Sequence, residues 1–252
     1  MRRVSRHVTQ NDRYKMSKAN GFTAGPTRSG ELAIHGNVAS QLYDDLRRRI
    51  ISLDLPPGTV LLRAELAAEY GVSQTPLREA LQRIEQDGLL HVHPQSKTVV
   101  SKIDIARIYE AHFMRVALET EVVRQLSRQG ANETISDAKA IIRMQEAIAD
   151  QPDQLRTFQE LDDSFHRVLF SGVGHERLHQ LVNARSGHLN RMRKMQPHDE
   201  IKIRHILDGH REIVDAILKA DEDAAINAMR AHLSQTVTNA PELREKHRDF
   251  FT

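Results

Sequence analysis

Residues 61–90 carry two short runs of apolar positions at helical spacing, separated by Gly71-Val72-Ser73. Gly71 suits the left-handed conformation that ends a helix, Ser73 is a preferred N-cap, and Pro76 is tolerated in a first helical turn. Two helices joined by so short a turn cross steeply, which predicts a helix-turn-helix. The apolar positions are Leu62, Leu66, Ala67 and Tyr70 in the first run and Leu77, Ala80, Leu81 and Ile84 in the second.

The period of the pattern changes directly after the second helix. Residues 90–93 alternate like a strand, residues 94–97 break the alternation, and residues 98–101 resume it. A helix-turn-helix followed by a two-stranded ribbon predicts a winged helix, whose first helix is expected over residues 38–53. A plain helical hairpin inside an α-helical domain is the alternative that the hairpin pattern alone leaves open.

The run PPGTVLLRAELAAEYGVSQTPLREALQRIEQDGLL resembles the N-terminal domain of the GntR family of bacterial transcription regulators. Gln74, Thr75 and Arg78 lie on the polar side of the second helix, where side chains reach bases and phosphates. Ala64 and Gln74 stand where the family usually has Arg, and Lys97 stands where it has Gly, so the operator sequence stays open. The expected DNA-binding residues are Arg63, Ser73, Gln74, Thr75, Pro76, Arg78 and Lys97.

From residue 103 onwards nearly every segment has a helical pattern. Helices are predicted over residues 104–128, 132–149, 152–171, 176–195, 198–219 and 221–239. Helices of this length with short loops predict an antiparallel bundle, so the fold class is mostly α. The expected organisation is a flexible basic tail over 1–35, a winged domain over 36–102, a helical domain over 103–240 and a C-terminal tail over 241–252.

Composition narrows the class of protein further. The 252 residues contain no Cys, which excludes disulfides and thiolate metal sites and fits a cytoplasmic protein. No apolar run approaches the roughly 20 residues of a membrane span. The net charge of +2 is too small to indicate nucleic-acid binding by itself, but basic residues are concentrated in the first 35 residues. That segment is either a leader without function or an arm that attracts phosphates non-specifically.

Four residues of the helical domain are candidate metal ligands. Asp162 and His166 are one helical turn apart, and His210 and His232 lie on the last two predicted helices. Three imidazoles and a carboxylate suit a divalent transition metal. The spacing alone is weak evidence, so ordinary surface or core histidines remain an alternative. Pairs with the same spacing are Glu31/His35, Asp87/His91 and His175/His179.

The segments IYEAHFMRVALETEVVRQL, LDDSFHRVLFSGVG and HREIVDAILKADEDAAINAMRAHL resemble the FCD effector-binding domain of the FadR-type branch of GntR regulators. The resemblance implies that Asp162, His166, His210 and His232 converge and bind a metal, zinc or nickel foremost. In this segment Gly174-His175 departs from the family's usual Gly-Asn, which makes His175 a possible extra pocket residue.

Together the two resemblances imply a homodimer that binds a palindromic DNA operator, most simply as a repressor. A small carboxylate effector is expected to complete the metal coordination and to pair with a basic side chain. Arg115 is the first candidate for that pairing, followed by Arg191 and Arg193. The protein is expected not to be an enzyme. The rivals are a metal-dependent enzyme, in which the same four residues activate water, and a winged helix that serves only protein interaction.

Overall fold

The structure is a computed structural model that describes residues 38–93, 97–130, 132–196 and 200–252. Three predictions therefore lie outside the described residues. They are the basic tail over residues 1–35, the turn over 94–96, and the interruption between helices at Pro197 and His198.

The predicted helix-turn-helix is confirmed. Gly71 has a φ of 62° and ends the first of its two helices, and Ser73 precedes the second in an extended conformation without a side-chain capping bond. The elements of this domain are α1 (Val38–Ile51), β1 (Val60–Leu62), α2 (Arg63–Tyr70), α3 (Gln74–Gln86), β2 (Leu90–Val92) and β3 (Lys97–Val100).

The wing is a three-stranded antiparallel sheet of order β1–β3–β2, and not the predicted two-stranded ribbon. Val60 pairs with Val99 on one side of β3, and Leu90 pairs with Val100 on the other. Strand β1 was missed because three residues are too few to establish a strand period and because its partner lies far along the chain. Leu61 of β1 points into the domain core, which consists of apolar side chains from all three helices and the sheet.

The second domain is an α-helical bundle, as predicted. Its helices are α4 (Ile105–Gln129), α5 (Glu133–Ile148), α6 (Leu155–Gly172), α7 (Glu176–Arg185), α8 (Gly187–Met195), α9 (Glu200–Leu218), α10 (Glu222–Ser234) and α11 (Ala240–Lys246). Asp104 and Asn132 cap α4 and α5 by accepting bonds from backbone amides, as their positions predicted. Within the described residues, no helix has the length and apolarity that a membrane crossing requires.

Two predicted helices end differently in the structure. The helix predicted over residues 176–195 is interrupted at Ser186, which separates α7 from α8. At this point Gly187 lies against the winged domain so closely that a β-carbon would be 2.7 Å from Leu89 Cδ2. The helix predicted to reach residue 239 stops at Ser234, and the short helix α11 follows.

The residues after α11 return to the segment between the two domains. Phe251 is buried and forms a parallel bridge with Ile103. The amide of Ile103 donates to the Phe250 carbonyl at 2.8 Å, and the amide of Thr252 donates to the Ile103 carbonyl at 3.0 Å. The C-terminal residues therefore pack against the linker that joins the winged domain to the bundle.

Candidate functional site

The structure brings the four predicted metal ligands together inside the bundle. Asp162 and His166 lie one turn apart on α6, His210 lies on α9, and His232 lies on α10. One oxygen or nitrogen from each residue falls within 4.8 Å of the corresponding atom of every other. Asp162, His166 and His210 are buried. The four side chains thus form one polar cluster enclosed by helices.

The spacing of these atoms resembles that of a metal coordination sphere. His210 Nε2 lies 3.4 Å from Asp162 Oδ1, and His232 Nε2 lies 3.4 Å from His166 Nε2. Ligand atoms at about 2 Å from a tetrahedral metal are roughly 3.3 Å from one another. A metal between the four side chains therefore needs only small movements of their ends.

Two neighbouring side chains orient the imidazoles towards the centre of the cluster. His210 Nδ1 lies 2.9 Å from Gln145 Oε1, and His166 Nδ1 lies 2.5 Å from Glu119 Oε2. The Gln145 oxygen can only accept, so Nδ1 of His210 carries the proton and Nε2 keeps its lone pair. The contact between His166 and Glu119 is close but lies outside hydrogen-bond geometry. Histidines that bind metals are commonly held in this way by a carboxylate or carbonyl group.

Three atoms of the cluster are buried without a hydrogen-bond partner among the described residues, namely Asp162 Oδ1, His166 Nδ1 and His210 Nε2. Of these, Asp162 Oδ1 and His210 Nε2 face the same space, 3.4 Å apart. An unsatisfied buried acceptor costs free energy, and a cation between the two atoms would satisfy both. The donor set of one carboxylate and three imidazoles therefore fits a divalent transition metal.

Burial and neighbouring charges shift the pKa values of Asp162, His210 and His232 downwards. Burial opposes ionisation of Asp162, but Arg193 and the nearby histidines outweigh it and hold the pKa of this carboxyl well below its ordinary value. Burial lowers the pKa of His210, and burial together with His210 and His166 lowers that of His232. Lower pKa values favour the ionised carboxylate and the neutral imidazole, which are the protonation states in which these groups bind metals.

Tight packing fixes the positions of two of the rings. Phe165 stacks on His210 with ring centroids 3.8 Å apart. Gly209 leaves room for the ring of His232, because a β-carbon at this position would be 2.7 Å from His232 Nδ1. A larger residue at position 209 would therefore displace the ring of His232.

A small cleft opens beside the cluster, and two of the four predicted effector residues line it. Arg115 is buried and pairs through Nε with Glu119 at 2.7 Å. Arg193 pairs with Asp162 Oδ2 at 2.6 Å. The remaining lining residues include His179, Val182 and Asn183 of α7, Asn190 of α8, and Ser186 between the two helices. The cleft thus combines two cations with the carboxylates of Glu119, Asp162 and Asp163, and it gives access to the cluster.

The other two predicted effector residues lie elsewhere. His175 is exposed at the start of α7 and does not line the cleft, whereas His179 of the same predicted pair does. Arg191 is fully buried, but its guanidinium contacts the linker at Ser101. Sequence reasoning missed Glu119 and Gln145, the partners of the imidazoles. Glu119 lies one turn after Arg115 in a helix that was predicted correctly, whereas no local pattern indicates Gln145.

The winged domain presents its predicted DNA-binding residues on its surface. Ser73, Gln74, Thr75 and Arg78 are exposed around the beginning of α3. Arg78 has no ion-pair or hydrogen-bond partner within the described part of the chain. Pro76 lies half-buried in the first turn, and Lys97 is exposed at the beginning of β3. A free guanidinium on this helix surface is available to a nucleic acid.

Arg63 and Arg78 both line a groove between α3 and the wing. The guanidinium of Arg63 donates to the carbonyl of His93 at the end of β2. Glu85 of α3 accepts a 2.7 Å hydrogen bond from the amide of Val92, which lies on the outer edge of the sheet. Arg63 and Glu85 therefore tie the wing to the helix-turn-helix.

The chain matches two protein-family models in the order of its domains. One is described as "Bacterial regulatory proteins, gntR family" and covers residues 38–100, and the other is described as "FCD domain" and covers residues 108–235. An uncharacterized HTH-type transcriptional regulator in an unstable DNA locus of Streptomyces ambofaciens is 33% identical over 211 residues, or 83% of this chain and 88% of that protein.

Two further comparisons agree with these matches. The HTH-type transcriptional repressor RspR of Escherichia coli is 29% identical across 85% of this chain and 94% of its own length. The solved structure of Escherichia coli McbR/YncC superposes with a TM-score of 0.68, covering 84% of this chain and 100% of that chain. Its sequence identity is 18%, so this likeness concerns the fold.

Proposed function

Because the chain belongs to the GntR family of bacterial regulatory proteins and carries an FCD domain, we propose that it represses transcription in response to a small carboxylate bound beside a metal centre. Its relatives are transcriptional regulators, so the chain is a DNA-binding regulator and not an enzyme. The RspR relative is a repressor by name, which favours repression here. A regulator of this kind acts on the chromosome and hence in the cytoplasm.

The exposed beginning of α3 is the observation that supports operator recognition. Helix α3 corresponds to the helix that enters the major groove in a helix-turn-helix, with the first residues of the helix facing the bases. Thr75 and Gln74 offer hydrogen-bonding groups there, and Gln makes a favourable pair with the edge of adenine. Arg78 offers its unpaired guanidinium one turn later.

Replacement of Arg78 tests this contact directly. Arg78→Ala is expected to weaken binding to a selected duplex by about 1–3 kcal/mol at fixed salt, because it removes a base or phosphate contact. Arg83→Ala is the matched control, since it removes the same charge from the same helix while its guanidinium lies 4.2 Å over the ring of Tyr43 and bonds to Ser40. Equal losses for the two variants would contradict a specific role for Arg78.

The buried cluster supports a metal centre that holds zinc or nickel. Asp162, His166, His210 and His232 would supply its ligands, and Glu119 and Gln145 would orient two of the rings. The metal would contribute a Lewis-acidic site for a ligand carboxylate. The unsatisfied atoms Asp162 Oδ1 and His210 Nε2 are the observation that carries this part of the proposal.

Thermal unfolding with added zinc tests the centre. At a free zinc concentration of 100 times the dissociation constant, the native state gains about 2.7 kcal/mol, which raises the melting temperature. His210→Ala is expected to abolish this rise. His205→Ala is the matched control, because His205 lies on the same helix and is exposed. A rise that survives in His210→Ala would place zinc elsewhere.

The cleft supports a carboxylate ligand. Arg115 and Arg193 line it next to the proposed metal position, and both already bind a carboxylate of the protein. Citrate is a suitable first probe, because it offers several carboxylates. Zinc-loaded wild-type protein is expected to bind citrate more tightly than Arg193→Gln does. Equal affinities would remove Arg193 from the proposal.

Self-association and a palindromic operator complete the proposal. Phe113 and Tyr109 are exposed one turn apart on α4, with 75% of Phe113 accessible, and offer an apolar surface to a second copy. Phe113→Glu is expected to shift the wild-type dimer towards monomer in sedimentation. Met144→Glu, on an exposed position of α5, is the control. A two-fold symmetric footprint on the selected duplex would support the palindrome.

A further inference from the structure

We infer that helix α8 couples the cleft to the winged domain and that His188 and Arg191 are the positioning residues that hold the interdomain linker. The inference rests on the proposed function, because it names the route by which a ligand in the cleft would change DNA binding. It assigns Arg191 a role at the junction in place of the effector-binding role expected from the sequence.

Helix α8 has two polar faces that serve different regions. Asn190 and Arg193 line the cleft, together with Ser186 just before the helix. His188 and Arg191, three residues apart, face the linker and the end of the winged domain. Because residues three apart share one side of a helix, a single rigid element touches the ligand site and the junction at once.

Arg191 is a buried cation that binds the backbone of the linker. Its Nη1 donates to the Ser101 carbonyl at 2.6 Å, and its Nη2 lies 3.2 Å from Ser101 Oγ and 3.5 Å from the Lys102 carbonyl. No carboxylate among the described residues pairs with it. A buried guanidinium is costly, and an apolar side chain would fill the space at lower cost. The guanidinium contributes a planar set of hydrogen-bond donors, which holds the backbone of Ser101 and Lys102 in one orientation.

His188 joins the same linker to the wing. Its Nδ1 accepts from the Asp104 amide at 2.9 Å, so its Nε2 carries the proton and donates to the Gly88 carbonyl at 3.1 Å. Gly88 precedes strand β2, and Asp104 caps helix α4. One neutral ring thus connects the last turn of the helix-turn-helix to the first turn of the bundle.

Two further contacts make the junction closely packed. Gly187 lies against Leu89, where a β-carbon would be 2.7 Å from the leucine side chain. Arg47 of α1 donates to the carbonyl of Asn183, which lines the cleft from α7. Movement of α7 or α8 therefore cannot occur without changing contacts to the winged domain.

The cleft supplies a cause for such a movement. Arg193 holds Asp162 at 2.6 Å, and an anion in the cleft would compete with Asp162 for the same guanidinium. Arg193 lies two residues after Arg191 on α8. A change in the position of Arg193 would therefore shift the part of the helix that carries Arg191. Packed helices respond to ligands by small sliding movements. Such a movement of α8 would change the geometry of the hydrogen bonds that Arg191 and His188 make with the linker.

Hydrogen exchange in the full chain tests this route without any ligand. Arg193→Gln removes the contact in the cleft, and the amides of Ser101 and Asp104 are expected to exchange about ten-fold faster. Arg156→Gln is the matched control, since it removes an exposed ion pair with Glu160 on α6. Changes confined to residues that line the cleft would overturn the inference.

A second experiment uses zinc alone as the probe and a duplex selected by the wild-type protein. Arg191→Lys keeps the charge but cannot form the fork. It is expected to bind zinc within about two-fold of wild type, while the zinc-dependent change in duplex affinity falls from about five-fold or more to less than two-fold. Retention of the full change would overturn the inference. A wild-type protein that binds no zinc would contradict the metal centre, and the exchange result would then decide the inference alone.

Discussion

The two domains bury different kinds of side chain. The core of the winged domain is built almost entirely from apolar residues, with Leu46, Ile50, Leu77 and Ile84 fully buried. The bundle has a larger apolar core, but it also encloses a polar cluster of carboxylates, imidazoles and a guanidinium. The polar groups of the winged domain that matter for DNA lie instead on its surface.

This difference indicates where each domain performs its function. A winged domain recognises its partner with an exterior surface, so its core needs only to hold the helices at a fixed angle. The bundle receives its ligand inside, and buried polar groups without complete partners are costly unless something binds them. Asp162 and His210 illustrate that cost, because each has an atom without a hydrogen-bond partner in the described structure.

A cavity in the core of the winged domain is expected to have the largest effect. Leu77→Ala should lower the free energy of unfolding by about 2–5 kcal/mol, because Leu77 is fully buried between the helices of this domain. The affinity for the DNA duplex should also decrease, because the helices of the winged domain lose their fixed arrangement. The zinc affinity of the bundle should stay unchanged. Denaturant unfolding and zinc titration measure the two quantities, and a parallel loss of zinc affinity would show that the comparison of two separate cores is wrong.

The junction is expected to show an intermediate effect that depends on pH. Burial, together with Arg191 and Arg107, lowers the pKa of His188 to about 3. A depressed pKa means that the stabilisation by this group is complete above its unfolded value near 6.5 and declines as pH falls towards 3. The difference in unfolding free energy between wild type and His188→Gln should therefore shrink by about 3 kcal/mol between pH 7 and pH 4. A constant difference over this range would contradict a neutral buried ring.

The polar cluster is expected to contribute least to the stability of the metal-free protein. His210→Leu should change the unfolding free energy by less than about 1 kcal/mol, because the replacement of a buried imidazole that has an unsatisfied nitrogen by an apolar side chain offsets the loss of a partner for Gln145 Oε1. Chemical denaturation in the presence of a chelator measures this. A loss as large as that of Leu77→Ala would mean that the cluster is structural.

Local patterns were sufficient for most of the fold. The turn at Gly71 and Ser73 and the caps Asp104 and Asn132 were predicted because a single residue type determines each conformation. Strand β1 and the interruption at Ser186 were not predictable in this way, because both depend on partners that are distant in sequence. Gly187 is tight only because Leu89 lies against it.

The candidate site shows the same division. Only the i,i+4 relation of Asp162 and His166 is local, and the resemblance to a known domain was needed to predict that His210 and His232 converge with them. The function of Arg191 depends on the backbone of Ser101, which no periodicity connects to it. Backbone acceptors leave no trace in the side-chain pattern, so sequence reasoning placed this residue in the cleft.

Duplex affinity of the full chain, measured at one fixed salt concentration with zinc and with a chelator, tests the central claim most directly. The account predicts that the two affinities differ by about five-fold or more, that citrate changes the zinc-loaded value further, and that His210→Ala abolishes both effects. Identical affinities under all three conditions, from a protein shown to bind zinc at the bundle, would contradict it.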